Sequence, residues 1–271
     1  MHREDQQRTP LLILGAGYTG QYLYAEARKR GLPVLATSRS PDSRLTGIRA
    51  SHRIWFDLQK RETWHNILSG ADVVWCFPAV PEELVQAFAE DTLIKTGRLV
   101  VLGSTSAYDL PESVGIAAAP VIDESAPVDR NRPRVRGEEY LREHHHAIVL
   151  RVAGIYGPGR HVLDWIRRGK VGPSRRYVNL VHVEDLAALC ILALERGKPG
   201  DVYNVSDGSP RRWSDICEEA RRKWGITAQT VTEAKSLGKR ISIAKLHAEF
   251  AYAFRHPDLF TALESIESAE A

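Results

Sequence analysis

The stretch LLILGAGYTG, residues 11–20, decides how this chain is read. Leu11, Leu12, Ile13 and Leu14 run directly into Gly15, Gly17 and Gly20. A short, unbroken apolar run bounded by a turn signal fits a strand buried on both faces, as in a parallel sheet. The glycines are spaced G-x-G-x-x-G, and each has a physical task. Gly15 lets the chain turn off the strand. Gly17, with no Cβ, lets a pyrophosphate approach the backbone. Gly20 lets the following helix pack close to the strand. The N–H groups around Tyr18 and Thr19, at the positive end of that helix, then face the phosphates.

Working outward, a helix is expected over 21–30, with Leu23 and Ala27 one turn apart and Gly31 just past its end. A second strand is expected over 33–37. These complete a βαβ unit and point to dinucleotide binding; the alternative is an ordinary strand–helix turn of some other α/β protein. Ser38 and Arg39 follow the second strand, and no acid appears until Asp42. NAD-preferring sites place an acid near here to accept from the ribose 2′-hydroxyl, whereas a planar guanidinium suits a 2′-phosphate. The expected cofactor is therefore NADP, with NAD possible. A plain surface arginine in a βα loop is the competing explanation.

A third strand over 52–56 leads to Asp57 and Leu58, placed to accept from an adenine amino group and to pack on its ring. Asp57 is alternatively a cap for a helix expected over 62–68, which would put Trp64 and Leu68 on one face. A fourth, fully apolar strand over 71–77 ends in Phe77, Pro78 and Ala79, at the sheet edge where ligands bind in open α/β folds. Cys76 reads as core filling. After a helix over 82–89, a fifth strand over 98–102 runs into Gly103, Ser104, Thr105, Ser106, Ala107 and Tyr108. Such a hydroxyl cluster at a strand's carboxyl end marks either a ligand edge or a polar turn.

Composition sets the frame. The chain has 271 residues, 43% hydrophobic and 26% charged, ordinary for a globular protein. A formal net charge of +3 does not argue for a nucleic-acid partner. The 3 cysteines form no C-x-x-C pair, which speaks against a disulfide framework or a zinc site and fits a reducing compartment. The first nine residues are polar and no apolar run reaches signal-peptide or membrane-spanning length, so a cytoplasmic location is expected. No metal site is expected: the triplet His144 to His146 points in different directions on a helix.

The remaining elements follow in order. A sixth strand is expected over 147–152 and a turn-rich exit over 154–159. A short helix at 162–168 precedes a basic run, Arg167, Arg168, Lys170, Arg175 and Arg176, read as a solvated face or an electropositive lip. Residues 179–183 return to the core. A nearly all-apolar helix over 184–195, a strand over 201–205, an amphipathic helix over 213–224 and a helix over 244–250 complete the set, with Lys239 and Arg240 as weak substrate candidates.

GAGYTG, the STSAY that ends the fifth strand, LRVAGIYGPGR (150–160), HVEDLA (182–187) and YNVSDG (203–208) occur in this order. Together they resemble the extended short-chain dehydrogenase/reductase family, the NAD(P)-dependent sugar epimerases and dehydratases, with glycine spacing nearer the family's atypical branch. The resemblance implies a Rossmann doubly wound parallel sheet with a small C-terminal substrate lobe. The expected division is 8–153 plus 178–206 for the NAD(P)-binding core, and 154–177 plus 207–271 for the lobe. It also implies a catalytic tyrosine, a lysine four residues later, and a hydroxyl residue that orients the substrate oxygen. Ser104 falls at the hydroxyl position.

The expected pair is missing. The matching register over 129–137, DRNRPRVRG, puts Arg130 at the tyrosine position and Arg134 at the lysine position. Arginine keeps its proton, so Arg130 cannot be the acid/base, while Arg134 can still supply positive charge toward the nicotinamide ribose. Tyr140 and His144 repeat the spacing but lie at the wrong end of the helix. Tyr108, His161 and His182 remain as substitute proton donors. The expectation is an NADP-preferring oxidoreductase or epimerase-like protein acting on a sugar-like or other small carbonyl or alcohol substrate, as monomer or homodimer. The alternative is a non-catalytic NADP(H)-binding sensor.

Overall fold

The computed structural model describes residues 9–109, 118–229 and 236–270. In chain order it runs β1 (Leu11–Leu14), α1 (Tyr18–Lys29), β2 (Val34–Ser38), α2 (Pro41–Arg44), β3 (Arg53–Trp55), β4 (Asp72–Trp75), α3 (Glu82–Asp91) and β5 (Leu99–Ser104). Next come β6 (Val121–Ile122), α4 (Pro133–His145), β7 (Ile148–Val152), β8 (Gly154–Tyr156), α5 (Val162–Arg167), β9 (Tyr177–Val178), β10 (Leu180–His182) and α6 (Val183–Arg196). The last elements are β11 (Val202–Val205), β12 (Arg211–Arg212), α7 (Trp213–Trp224), β13 (Arg240–Ile241), α8 (Ala244–Phe250) and α9 (Leu259–Glu270).

Seven strands form one sheet in the order β11-β7-β5-β4-β1-β2-β3. Parallel registers join β3 to β2, β2 to β1, β1 to β4 and β4 to β5. The chain winds outward from β1 in one direction and then from β4 in the other. The crevice at the carboxyl ends of β1 and β4 is therefore the switch point at which doubly wound sheets bind ligands. This is the α/β architecture expected from the sequence.

The described residues divide into two compact units, one comprising 9–103, 130–150 and 187–202, the other 104–129, 151–186 and 203–270. This partition gives 104–129, 151–153, 178–186 and 203–206 to the second unit, whereas the sequence expectation grouped those residues with the Rossmann core. In the first unit Phe88 is the centre of an aromatic cluster, with ring centroids 5.1 Å from Phe56, 5.2 Å from Trp64 and 5.8 Å from Trp75. The second unit has its own core, in which Ile216 and Ala220 of α7 pack with Leu259, Leu263 and Ile266 of α9. The i, i+4, i+7 spacing of those α9 residues is a helical stripe.

One element departs from expectation. Residues 61–66 form a 3-10 turn, not an α-helix over 62–68. At three residues per turn, i and i+3 share a face. Trp64 and Ile67 are accordingly buried, while Leu68 is 43% exposed. The turn is held by Thr63 Oγ1, which donates to the Lys60 carbonyl at 2.7 Å and accepts from the Asp57 N–H at 3.0 Å.

Candidate nucleotide site

The turn from β1 to α1 is fixed from inside the sheet. The Gly15 N–H donates to Thr37 Oγ1 at 2.9 Å, and the Ala16 N–H to the Thr37 carbonyl at 2.8 Å. Gly15 has φ +79°, a left-handed conformation that favours glycine, and a Cβ there would lie 2.6 Å from Phe77 Cδ1. At Gly20 a Cβ would lie 3.1 Å from both the Gly15 carbonyl and Ile13 Cγ2, so the helix packs on the strand at the closest approach glycine permits. Gly17 differs from both. It is exposed, its φ is an ordinary −74°, and a Cβ would meet no protein atom within 4 Å. Gly17 also caps α1 with no side chain, and the helix's first turn holds no acid. The helix start is thus open to an anion.

Beside this turn is a cavity of about 600 Å³ lined within the first unit by Gly15, Gly17, Tyr18, Ser38, Arg39, Asp57, Leu58, Phe77 and Pro78, among others. Its volume falls in the range usual for cofactor sites. Nine of the residues selected from sequence therefore share one wall. Thr19, Gly20 and Ala79 are buried and are not in that wall. Ala79 instead packs on α4, where a Cβ on Gly137 would sit 2.0 Å from its carbonyl oxygen. The sequence reading missed Arg44, Gln21, Gln59 and Thr37, which also line the cavity. Only the basic residue of PDSR, in α2 just after Arg39, gave a signal for Arg44.

Charge in the cavity is uneven. Arg39 and Arg44 are exposed side chains in its wall, and Asp57 is the carboxylate among the lining residues. Asp42, the first acid after β2, is outside the lining and lies 3.9 Å from Arg53. Ser38 Oγ accepts from the Ser40 N–H at 3.1 Å, which leaves its O–H able to donate. Asp57 does not cap the following turn, whose N-cap is Lys60; its Oδ1 accepts from the Gln59 N–H at 3.1 Å. Cys76, expected as core filling, is half-buried in the cavity wall, and burial pushes its thiol up to about 12.

The two arginines at the positions implied for tyrosine and lysine are in ion pairs. Arg130 precedes α4 and pairs with Glu143 and, at 3.3 Å, with Glu139. Arg134, in the first turn of α4, donates through Nε to Glu138 Oε1 at 2.6 Å and through Nη2 to the Leu102 carbonyl at 2.9 Å. Arg134 is not among the residues lining the cavity. Tyr140 donates to Glu90 at 3.1 Å and stacks on His144.

Ser104 and Tyr108 belong to the second unit. Ser104 Oγ caps a 3-10 turn, accepting from the Ser106 N–H at 3.2 Å. Tyr108 is 3% exposed and donates to Asn204 Oδ1 at 2.6 Å. Its ring lies 4.8 Å from the Arg151 guanidinium and 5.4 Å from the Lys239 ammonium. Burial raises its pKa even though the neighbouring Arg151 guanidinium and the hydrogen bond to Asn204 oppose this, so the phenol keeps its proton. His161 caps α5 by accepting from the Leu163 N–H at 3.1 Å. His182 is buried, and desolvation together with the neighbouring His256 pushes it down to about 4, so it is neutral near pH 7. In the basic run, Arg167 is paired to Asp164 and Glu267, and Arg168 lies 3.6 Å from Asp164. Those two arginines are a neutralised face and not an open electropositive lip. Among the described residues, no helix is long and apolar enough to cross a membrane.

Similarity to known proteins agrees with this architecture. Protein YeeZ of Escherichia coli K12 is 29% identical over 113 residues, 41% of this chain and 41% of that protein, so the alignment spans about two fifths of that relative. A conserved protein of unknown function from Silicibacter pomeroyi superposes with a TM-score of 0.79 at 23% identity, over 96% of this chain and 99% of the other. A short-chain dehydrogenase/reductase superfamily protein from Agrobacterium tumefaciens, solved with bound NAD, also gives 0.79, at 15% identity over 96% and 97% of the two chains. At these identities the structures share the fold. The sequence pattern of the family described as NAD dependent epimerase/dehydratase matches residues 11–206, from the first strand of the sheet to the end of the last. With its glycine turn, switch-point cavity and strand order in agreement, the chain belongs to the NAD dependent epimerase/dehydratase family.

Proposed function

We propose that the protein binds a nicotinamide dinucleotide along the cavity beside α1, with NADP(H) preferred over NAD(H). The observation that carries this reading is the open Gly17 position at the uncapped start of α1, with Arg39 and Arg44 in the wall of the same cavity. In this reading the backbone around Gly17 and Tyr18 holds the pyrophosphate. Arg39, Arg44 and the Ser38 hydroxyl hold the 2′-phosphate, and Asp57 with Leu58 holds the adenine. Bound nicotinamide supplies a hydride donor or acceptor. Calorimetric titration with NADPH and NADH tests this, repeated for Arg39→Ala. The expected result is tighter NADPH binding that falls about tenfold in the variant, with NADH unchanged. Equal affinities in the wild type would overturn the preference.

The chemistry proposed is hydride exchange with a small carbonyl or alcohol substrate, sugar-like in the manner of the family, without the tyrosine–lysine pair. Arg130 and Arg134 keep their protons, so the proton at the substrate oxygen must come from another group, with Ser104 and Tyr108 as the candidates. The buried, hydrogen-bonded state of Tyr108 favours a second reading, a protein that binds NADP(H) and does not turn over. Oxidation of NADPH followed by absorbance across a carbonyl panel separates them. Turnover lost in Ser104→Ala or Tyr108→Phe supports catalysis. Confirmed cofactor binding with flat absorbance supports the non-catalytic reading.

A further inference from the structure

Thr37, in β2, makes two hydrogen bonds to the turn that follows β1, and the two are out of step with the sheet. The β1–β2 ladder starts with the Leu11 N–H donating to the Pro33 carbonyl at 2.8 Å, and its register pairs Leu12 with Leu35 and Ile13 with Ala36. Along a parallel pair, successive N–H donors of one strand toward its neighbour are two residues apart. Continued unchanged, this ladder would bring the Gly15 N–H to the Thr37 carbonyl. That carbonyl instead accepts from the Ala16 N–H at 2.8 Å, one residue later, and the Gly15 N–H donates to Thr37 Oγ1 at 2.9 Å. We propose that Thr37 is the positioning residue of the cofactor site: its hydroxyl supplies the second acceptor that lets the end of β1 slip by one residue, and the slip aims the backbone at Gly17 and Tyr18 into the cavity. The role presupposes the dinucleotide binding proposed above.

The slipped turn is braced on its other sides. Gly15 reaches it with φ +79°, and Phe77 backs it so closely that a Cβ there would lie 2.6 Å from the ring. The Gly17 N–H then donates to the Gly15 carbonyl at 2.8 Å, a three-residue turn that carries the setting of Gly15 to the residue opening α1. The same carbonyl lies 3.1 Å from where a Gly20 Cβ would be, so the first turn of α1 is seated on Gly15 as well. Thr37 is fully buried, so it acts through Gly15 and Ala16 and not by touching the nucleotide. Ser38 and Arg39, the next two residues, line the same cavity. One short segment at the end of β2 thus places the phosphate turn and the 2′-phosphate arm together.

The residue type matters for a stated reason. Threonine is β-branched, which suits a buried strand, and its hydroxyl oxygen accepts a hydrogen bond. Valine has the same shape and no acceptor, so it leaves the Gly15 N–H without its partner. The acceptor then within reach of Gly15 is the residue 37 carbonyl, the bond of the unslipped ladder. Taking it displaces Ala16 and draws the turn back toward the strand.

The test is calorimetric titration of the full chain with NADPH, NADH and adenosine 2′-phosphate, which shares the adenine and the 2′-phosphate with NADPH and lacks the pyrophosphate. Thr37→Val is expected to weaken NADPH and NADH alike by about tenfold, and adenosine 2′-phosphate by less than about twofold. Thr37→Ser keeps the hydroxyl and is expected to bind both dinucleotides within about threefold of the wild type. Circular dichroism checks folding; where Thr37→Val does not fold, Thr37→Cys, a poorer acceptor, takes its place with the same expected order of ligands. In a wild type that binds, three results overturn the role of Thr37 and leave the cofactor reading standing. They are dinucleotide affinity unchanged in Thr37→Val, equal weakening of all three ligands, which marks a merely structural residue, and Thr37→Ser as weak as Thr37→Val. A wild type that binds neither dinucleotide refutes the cofactor reading itself and the role of Thr37 with it.

Discussion

Replacing Gly17 with alanine separates a binding role from a folding role, because the protein itself offers no objection to the methyl group. Gly17 has φ −74° and ψ −151°, which any residue adopts, and a Cβ there meets no atom within 4 Å. Alanine is a poorer N-cap than glycine, by up to about 1 kcal/mol. In a chain of this size that lowers Tm by about 2–4 °C. The space the methyl would fill is the space assigned to the pyrophosphate. Losing one charge-assisted hydrogen bond there costs about 1.5–3 kcal/mol, a tenfold to hundredfold loss of NADPH affinity. Gly15→Ala is the contrasting control: its φ of +79° and the 2.6 Å approach to Phe77 make it a folding defect first. Calorimetry for affinity and scanning calorimetry for Tm read the two effects separately. Gly17→Ala that binds NADPH as tightly as the wild type refutes the placement of the phosphates.

Three further outcomes follow from the same geometry. Trp64→Ala removes a buried ring packed on Phe88 whose Nε1 donates to the Leu58 carbonyl, and is expected to cost about 3–5 kcal/mol in urea denaturation; a loss below 1 kcal/mol contradicts this packing. Arg134→Met removes the ion pair to the buried Glu138 carboxylate and is expected to cost about 1–3 kcal/mol, with part regained in Arg134→Met/Glu138→Leu; additive losses contradict the coupling. Burial raises the pKa of all three cysteines, Cys76 to about 12, so the native protein at pH 8 is expected to react slowly with a thiol reagent, with all three thiols released on unfolding; a fast native phase contradicts it.

The sheet was legible because buried parallel strands carry uninterrupted apolar runs. Leu11 to Leu14 and the residues around Trp75 needed no long-range information, and the glycine spacing located the switch point. The turn at 61–66 was misread because Trp64 and Leu68 fit a 3.6-residue period by coincidence, while the chain follows a period of three. Arg44 was missed because α2 is four residues long and has no buried face to announce it. The hydrogen bond from Tyr108 to Asn204 spans 96 residues, which no local pattern encodes. The positions of Arg130 and Arg134 were legible, but their commitment to Glu139, Glu143 and Glu138 was not, since several acids in α4 were equally available.

The most direct test of the central claim is a crystal structure grown at saturating NADPH. The expected result is the pyrophosphate within hydrogen-bond distance of the backbone at Gly17 and Tyr18, and the 2′-phosphate against Arg39 and Arg44. A cavity beside Gly17 empty of nucleotide at saturation, or a nucleotide bound elsewhere on the chain, would contradict it.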